Sequence, residues 1–191
     1  AISEWNAKYN RICGKSNWDF RSSLLYFWFI LYQRTCNALT NWINNEKKYH
    51  NYLKVRLFEI FTSIEGEGIL YGTKTLFVRL AGCPFTCFYC DTKESLPLDS
   101  GKEYTIEEAC KLIDFNIKNQ TYKVNFTGGD PLIQHNAVAE LARYVQTKKI
   151  PTYLESSCFD SDRFNHVLPF FDIIKIEFKT KDSDFVDTKH Y

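Results

Sequence analysis

From Leu53 onward the chain alternates strand-like and helical segments, and this alternation constrains the fold more than any other feature. The strand-like segments are rich in Val, Ile, Leu and Phe and cover residues 53–61, 75–81, 122–126, 152–155 and 171–178. One helical segment follows a capping box that begins at Thr105. Two more cover residues 137–145 and 161–167. This spacing predicts βαβ units and therefore an α/β fold with a parallel sheet.

Polar and reactive residues follow the predicted strand ends. A cysteine-rich segment (residues 82–92, the cysteine loop) follows the second strand, and a Gly-Gly-Asp-Pro turn follows the third. Glu155 and Lys179 end the later strands. Ligands of parallel sheets bind at the carboxyl ends of the strands, so we expect these residues to share one site.

Composition excludes several classes of protein. Lys and Arg number 24 against 23 Asp and Glu, so the net charge of +1 gives no general attraction to nucleic acid. The longest apolar run, residues 24–32, is far shorter than the ~20 residues that span a membrane. The seven cysteines are odd in number, with three clustered within eight residues and four scattered, and no signal peptide is evident, which indicates a reducing cytoplasm.

Residues 1–50 differ from the rest of the chain. They contain all four tryptophans and the aromatic run of residues 26–29, without clear helical or strand periodicity, and the chain has no methionine. We interpret them as an aromatic-rich N-terminal extension, with residues 51–191 as the functional domain. Three interpretations of the extension stay open: a helix packed on the domain, a membrane-surface segment, or sequence foreign to the native protein.

Three cysteines stand in a C-x3-C-x2-C pattern, at Cys83, Cys87 and Cys90. A closed zinc site would need a fourth ligand, for which Cys110, Cys158 and His135 are candidates. A [4Fe–4S] cluster held by three thiolates instead leaves one iron open to another ligand. The residues alone leave both possibilities open.

The cysteine loop, with the aromatic Tyr89 before its last cysteine, resembles the signature of the radical S-adenosylmethionine enzymes. This resemblance implies a [4Fe–4S] cluster whose open iron binds S-adenosylmethionine and whose electron cleaves it to a 5′-deoxyadenosyl radical. Gly128, Gly129 and Asp130 resemble the Gly-Gly-Glu-Pro element of that superfamily, with Asp130 in place of Glu. Glycines suit that element because they let a backbone approach a ligand closely.

A narrower resemblance covers residues 55–178. The Glu-Ile-Phe-Thr-Ser-Ile-Glu-Gly-Glu-Gly stretch at residues 59–68, residues 77–82 and the Asp91-Thr92 pair are similar to the 7-carboxy-7-deazaguanine synthase family. The resemblance implies a partial (β/α) barrel, and we expect it to be truncated at the C-terminus because the family continues with further strands. It implies a lyase that converts 6-carboxy-5,6,7,8-tetrahydropterin to 7-carboxy-7-deazaguanine with loss of ammonia, for queuosine or archaeosine synthesis.

The same resemblance implies a set of site residues, in four groups. The cysteines at 83, 87 and 90 would hold the cluster, and Thr92 would bind Mg²⁺. S-adenosylmethionine would contact Tyr89, Asp91, Gly128, Gly129, Asp130, Glu177, Phe178 and Lys179. The pterin would contact Ile64, Glu65, Gly66, Glu67, Arg79 and Thr127, with Glu65 adding a negative charge where the family usually has Gln.

The resemblance also implies binding partners, and two alternative functions stay open beside it. The resemblance implies a pterin substrate, an electron donor such as flavodoxin or ferredoxin, no direct nucleic-acid or membrane partner, and a homodimer as a candidate assembly. One rival is a glycyl-radical-type activating enzyme, which shares the cysteine pattern but acts on a protein. The other is a non-catalytic iron–sulfur or zinc module. The stretch at residues 59–68 and Arg79 favour a small carboxylated substrate.

Overall fold

The computed structural model describes residues 35, 40, 53–117 and 120–179. The chain divides into two units, Ala1–Lys47 and Lys48–Tyr191. In the first unit, Thr35 and Thr40 are helical, and the aromatic run of residues 26–29 lies outside the described residues. The predicted division at residue 50 stays a prediction, and the fold below is that of the second unit.

Six strands form one sheet. They are β1 (Lys54–Ile64), β2 (Lys74–Leu80), β3 (Lys102–Thr105), β4 (Lys123–Gly128), β5 (Thr152–Ser156) and β6 (Ile173–Ile176), in the order β3-β1-β2-β4-β5-β6. All five predicted strands are present, and β3 was missed because its four residues carry no apolar run.

The prediction of a parallel sheet is correct for part of the sheet and wrong for the rest. The four strands β2, β4, β5 and β6 are parallel to one another. However, β1 runs antiparallel to both β2 and β3. The connection between β1 and β2 covers residues 65–73 (the β1–β2 loop), which is shorter than the dozen or so residues that a parallel crossover needs.

Among the described residues of this unit, three α-helices accompany the sheet: α1 (Ile106–Asn116), α2 (His135–Thr147) and α3 (Ser161–Val167). The predicted capping box opens α1, since Thr105 Oγ1 accepts from the Glu108 N–H at 3.2 Å and Glu108 Oε2 accepts from the Thr105 N–H at 2.8 Å. Asp160 caps α3 through two backbone N–H groups. None of the described helices is long and apolar enough to cross a membrane.

The two faces of the sheet differ in chemistry. Along β2, Leu76, Val78 and Leu80 are fully buried in a core shared with the helices, whereas Phe77 and Arg79 between them face a cavity. This is the alternation expected of a strand, whose successive side chains point to opposite faces. Cys110 lies in the same core, as predicted. Burial of each large apolar side chain contributes about 1.5–3 kcal/mol.

A register shift in β1 assigns its residues to these two faces. Leu57 pairs with Leu80 and Glu59 pairs with Arg79, so one extra residue interrupts the ladder at Phe58. A bulge of this kind reverses which face the following residues take. Leu57 is therefore in the core, while Phe61 lines the cavity.

Candidate functional site

The face of the sheet opposite the core borders a cavity of about 610 Å³. Seventeen of the eighteen residues predicted for the site line it, all except Phe178, which is 85% exposed. Those seventeen are Ile64, Glu65, Gly66, Glu67, Arg79, Cys83, Cys87, Tyr89, Cys90, Asp91, Thr92, Thr127, Gly128, Gly129, Asp130, Glu177 and Lys179. The structure thus brings the predicted residues together, and their individual roles stay predictions.

The cavity extends from the carboxyl ends of the parallel strands toward their amino ends. The cysteine loop and the turn after β4 lie at the carboxyl ends of the parallel strands, as predicted. Because β1 is antiparallel, its end at Ile64 pairs with Lys74 at the beginning of β2. The β1–β2 loop therefore enters the cavity from the amino ends of the parallel strands.

Backbone hydrogen bonds hold the cysteine loop at its own end of the cavity. Gly82 N–H donates to Ser95 O at 2.9 Å, and Cys83 N–H donates to Leu96 O at 3.0 Å. The Phe85 ring inside the loop is buried and packs edge to face on Phe159, with ring centroids 6.1 Å apart. These contacts attach the loop to neighbouring segments of the chain.

The three thiols fit an iron–sulfur cluster better than a single zinc ion. Burial raises the pKa of the Cys83 thiol to about 12, so its thiolate needs a strongly positive partner such as a metal. Among the residues that the structure describes, no three His, Cys, Asp or Glu side chains are grouped to hold one ion. The proposed fourth zinc ligands, Cys110, Cys158 and His135, do not line the cavity.

Two glycines allow the turn after β4 to pack directly on the cysteine loop. Gly129 N–H donates to Leu80 O at 3.1 Å. A Cβ atom at Gly129 would lie 2.6 Å from the carbonyl carbon of Gly82 and 3.0 Å from Cβ of Cys83. Gly128 has a φ of +139°, which side chains rarely permit. The glycines are thus required by the packing of two backbones at the cavity wall.

Asp130 uses its carboxylate inside the protein. Its Oδ1 accepts from Leu132 N–H at 3.0 Å and from Ser156 Oγ at 2.8 Å, and its Oδ2 accepts from Ser157 N–H at 3.0 Å and Ser157 Oγ at 2.6 Å. Burial raises its pKa, and these hydrogen bonds oppose that rise. The carboxylate therefore braces the ends of β4 and β5 against each other.

Arg79 presents its guanidinium at the cavity wall. Its Nε donates to Glu59 Oε1 at 2.7 Å, and its central carbon lies 5.8 Å from the centre of the Phe61 ring. That ring stacks on Phe77, with centroids 5.1 Å apart. The salt bridge and the aromatic surface together fix the plane of the guanidinium before a ligand arrives.

The negative charge expected of Glu65 is compensated by a lysine that sequence reasoning missed. Glu65 is only 3% exposed, and Oε2 is paired with the Nζ of Lys123, which is fully buried. Glu67 is also paired, with Lys175 Nζ at 3.0 Å. The sequence signal for Lys123 was a lysine near the start of a predicted apolar strand. Its partner Glu65 is 58 residues away along the chain, so the pair could not be predicted from that signal.

A chain of charges connects β6 with the cysteine loop. Lys175 Nζ lies 3.2 Å from Glu155 and 3.5 Å from Glu177. Lys179 Nζ lies 2.9 Å from Glu177 and 3.5 Å from the Tyr89 hydroxyl. Glu155, whose role the sequence left open, therefore belongs to the wall of the cavity.

Thr92 and Asp91 place two hydrogen-bonded side-chain oxygen groups at the cavity wall that the cysteines also line. Thr92 Oγ1 donates to Asp91 Oδ1 at 2.9 Å, and both residues line the cavity. Residues that sequence reasoning did not assign to the site line it as well: Phe61, Ser63, Phe77, Phe85, Leu96, Ser156 and Ser157. Most are apolar or small. Phe61, Ser63, Phe77 and Phe85 lie within the segments that carry the resemblance, but those segments assigned them no contact.

Comparison with known proteins identifies relatives of this chain. The family model described as a 4Fe-4S single cluster domain matches residues 64–185. A 7-carboxy-7-deazaguanine synthase of Methanocaldococcus jannaschii is 35% identical over 136 residues, which are 65% of this chain and 54% of that protein. One of Pyrobaculum aerophilum is 46% identical over 91 residues, 47% of this chain and 40% of that protein. The chain spans about half the length of the curated relatives it matches.

A solved structure supports the fold. The crystal structure of QueE from Escherichia coli matches 76% of this chain and 70% of its own, with a TM-score of 0.58 and 21% identity. This likeness supports the predicted α/β fold of a partial (β/α) barrel. The predicted resemblance to 7-carboxy-7-deazaguanine synthases is confirmed by the relatives above. With a family model matched over more than half of its length, the chain belongs to the family of proteins with a 4Fe-4S single cluster domain.

Proposed function

We propose that this chain is a radical S-adenosylmethionine lyase that converts 6-carboxy-5,6,7,8-tetrahydropterin to 7-carboxy-7-deazaguanine and ammonia. One observation carries the proposal. A single cavity contains the three cysteine thiols, the glycine turn, Arg79 and the β1–β2 loop segment with Glu65 to Glu67. Its volume of about 610 Å³ lies in the range of cofactor and substrate sites.

The cysteine end of the cavity would hold the cofactors. Cys83, Cys87 and Cys90 would bind the [4Fe–4S] cluster, which supplies the electron that cleaves S-adenosylmethionine into the hydrogen-abstracting radical. Gly128 and Gly129 would let the backbone approach the cosubstrate closely. Tyr89 and Lys179 would lie beside it, and their mutual contact at 3.5 Å supports a shared position at the cavity wall.

The other groups would position the substrate. The Arg79 guanidinium would bind the pterin carboxylate, a geometry for which its planar fork is suited. Ile64, Glu65, Gly66 and Glu67 would contact the ring system from the opposite end. Thr92, together with the adjacent Asp91 carboxylate, would bind Mg²⁺, because both provide the hard oxygen ligands that this ion takes.

The remaining predictions concern the cellular context. We propose that the enzyme acts in the cytoplasm, receives electrons from a flavodoxin or ferredoxin, and supplies a precursor of a modified tRNA base without binding nucleic acid itself. The net charge of +1 supports the last point, since a nucleic-acid surface needs an excess of Lys and Arg. A homodimer stays a prediction.

The proposal is tested by anaerobic reconstitution of the full chain with iron and sulfide. The protein is incubated with S-adenosylmethionine, a reductant, Mg²⁺ and the carboxylated pterin, and products are measured by mass spectrometry. Formation of both 5′-deoxyadenosine and 7-carboxy-7-deazaguanine is the expected result. If only 5′-deoxyadenosine forms, the proposed substrate is wrong. If cluster-loaded protein forms neither product, the proposal that the chain is this enzyme is wrong.

Arg79→Lys tests the proposed carboxylate contact. Lysine keeps the charge but loses the bidentate fork, so we expect KM for the pterin to rise about 10- to 100-fold, as loss of a charged hydrogen bond predicts. The Kd for S-adenosylmethionine should not change. Arg143→Lys, on the exposed face of α2, is the matched control and should leave KM unchanged. An unchanged KM in Arg79→Lys would remove this residue from the substrate site.

A further inference from the structure

Lys123, the first residue of β4, has a completely buried side chain. Its Nζ pairs with Oε2 of Glu65 and lies 3.6 Å from the centre of the Tyr153 ring. Tyr153 is itself 2% exposed. The ammonium group is therefore enclosed between a carboxylate and an aromatic face, the two environments that compensate a buried cation.

Glu65 links this buried lysine to the β1–β2 loop. Its Oε1 accepts from the Gly66 N–H at 3.2 Å, and Asn125 Nδ2 lies 3.4 Å from Oε2. Its backbone N–H donates to Thr73 O at 2.8 Å, and its carbonyl accepts from Gly72 N–H at 2.9 Å. Backbone bonds thus close the base of the loop, while the side chain fixes the loop to the sheet below it.

Stability alone does not account for a charged pair at this position. Replacing a buried ion pair by apolar residues of similar volume is often neutral or stabilising, whereas removing one partner strongly destabilises. Val124 and Phe126 lie on the opposite, helix-facing side of β4, whereas Asn125 and Thr127, on the same face as Lys123, are buried and polar. An ion pair is directional, and an apolar contact is not. The pair therefore fixes the Glu65 carboxylate, and the chain segment that carries it, at one point.

That point is at the cavity wall. Glu65, Gly66 and Glu67 line the cavity, and Lys123 does not. The second link of the same loop, between Glu67 and Lys175, is weaker because the Glu67 side chain is 69% exposed to solvent and salt. The buried pair is therefore the less screened of the two ion pairs that link the loop to the sheet.

We propose that Lys123 is a positioning residue, which acts through Glu65 to hold residues 66–72 in the conformation that binds the substrate. The identity of that substrate rests on the proposed function, but the positioning of the loop does not. Lys123 contacts neither substrate nor cofactor in this scheme. Its removal should loosen the loop and weaken substrate binding while leaving the cysteine end of the cavity intact.

The test is a double-mutant cycle with Lys123→Gln, Glu65→Gln and the double variant. Backbone amide exchange of residues 66–72 is measured by mass spectrometry, and the Kd for the carboxylated pterin is measured on cluster-loaded protein. Lys123→Gln leaves a buried carboxylate unpaired, so we expect loop exchange and Kd each to rise about tenfold or more. The double variant restores a neutral hydrogen-bonded pair, and both values should return to within about threefold of the wild type.

Controls separate positioning from general stability. Lys111→Gln removes an exposed helix lysine paired with Glu107 and should change neither value. The amides of Phe126 and Leu154 report on exchange in the sheet. If their exchange in Lys123→Gln rises as much as that of the loop, Lys123 only stabilises the fold, and the proposal is overturned. Unchanged loop exchange in Lys123→Gln would also overturn it.

Two further outcomes are distinguishable. If Lys123→Gln does not fold, Glu65→Asp keeps both charges but shortens the reach by one methylene, and unchanged loop exchange in that variant would overturn the proposal. If the wild type does not bind the pterin, the proposed function fails. The exchange measurements still decide whether the loop depends on Lys123.

Discussion

The cysteine loop and the β1–β2 loop border the same cavity but are held by different forces. Backbone hydrogen bonds of Gly82 and Cys83 and the buried Phe85 ring fix the cysteine loop. Backbone hydrogen bonds also close the base of the β1–β2 loop, but its side-chain links to the sheet are two ion pairs, to Lys123 and to Lys175. The cysteine end of the cavity therefore depends more on backbone packing, and the end at the β1–β2 loop depends more on charge.

This difference predicts different sensitivities to substitution. A backbone-held loop tolerates changes of its exposed side chains but not of the glycines on which its packing depends. A charge-held loop tolerates added Cβ atoms where there is space, but responds to charge changes and to salt. The predictions below test each half of this comparison, beginning with the largest effect.

Cys87→Ala should abolish cluster binding. With only two thiols left in the cysteine loop, one iron loses its protein ligand, and the cluster cannot be retained. Iron and sulfide content and the visible absorption of the reconstituted variant measure this loss. Cys110→Ala, in the helix-facing core, is the matched control and should keep the wild-type iron content. A full four-iron complement in Cys87→Ala would remove this cysteine from the ligand set.

Gly129→Ala should destabilise the protein by about 1–3 kcal/mol, the usual cost of overpacking. The new Cβ would lie 2.6 Å from the carbonyl carbon of Gly82, so the turn and the cysteine loop must separate. Gly66→Ala is the matched change in the β1–β2 loop, where a Cβ meets no atom within 4 Å. Its free energy of unfolding should stay within about 0.5 kcal/mol of the wild type.

Urea unfolding of the two alanine variants side by side measures this contrast. Equal destabilisation of both would show that the two loops do not differ in the way their backbones are packed.

Glu67→Gln should have the smallest effect. The Glu67 side chain is 69% exposed, so its pair with Lys175 contributes at most about 1 kcal/mol to stability. The contribution should decrease further as salt is added, because exposed charges are screened. Amide exchange of the β1–β2 loop at low and high salt tests this, with the variant expected to lose the salt dependence of the wild type. A salt-independent wild-type loop would contradict the assignment.

The two halves of the site also differ in how far the sequence predicts them. The cysteine pattern and the glycine turn are local motifs. They can be predicted from the sequence because the backbone conformation of a loop depends on residues that are adjacent along the chain. The stretch at residues 59–68 likewise identified the loop that enters the cavity. Phe178 was placed in the site by the same motif reasoning, yet its side chain is 85% exposed and does not line the cavity.

The charge-held half depends on pairs that are distant along the chain. Lys123 and Glu65 are 58 residues apart, and neither residue alone indicates the other. The direction of β1 and the extra residue at Phe58 also decide which side chains reach the cavity. Strand alternation predicts two faces, but it does not predict which face meets the helices once a bulge intervenes.

The antiparallel β1–β2 pairing has a consequence for the order in which the chain folds. The two strands form a hairpin whose loop closes between neighbouring residues, and such local closure is fast. Lys123, which pairs with Glu65 of this loop, is part of β4. It can reach the loop only after β4 has paired in parallel with β2, which is a slower, long-range step. The end of the cavity at the β1–β2 loop therefore reaches its final form late, when Lys123 leaves water and meets a carboxylate that is already in place.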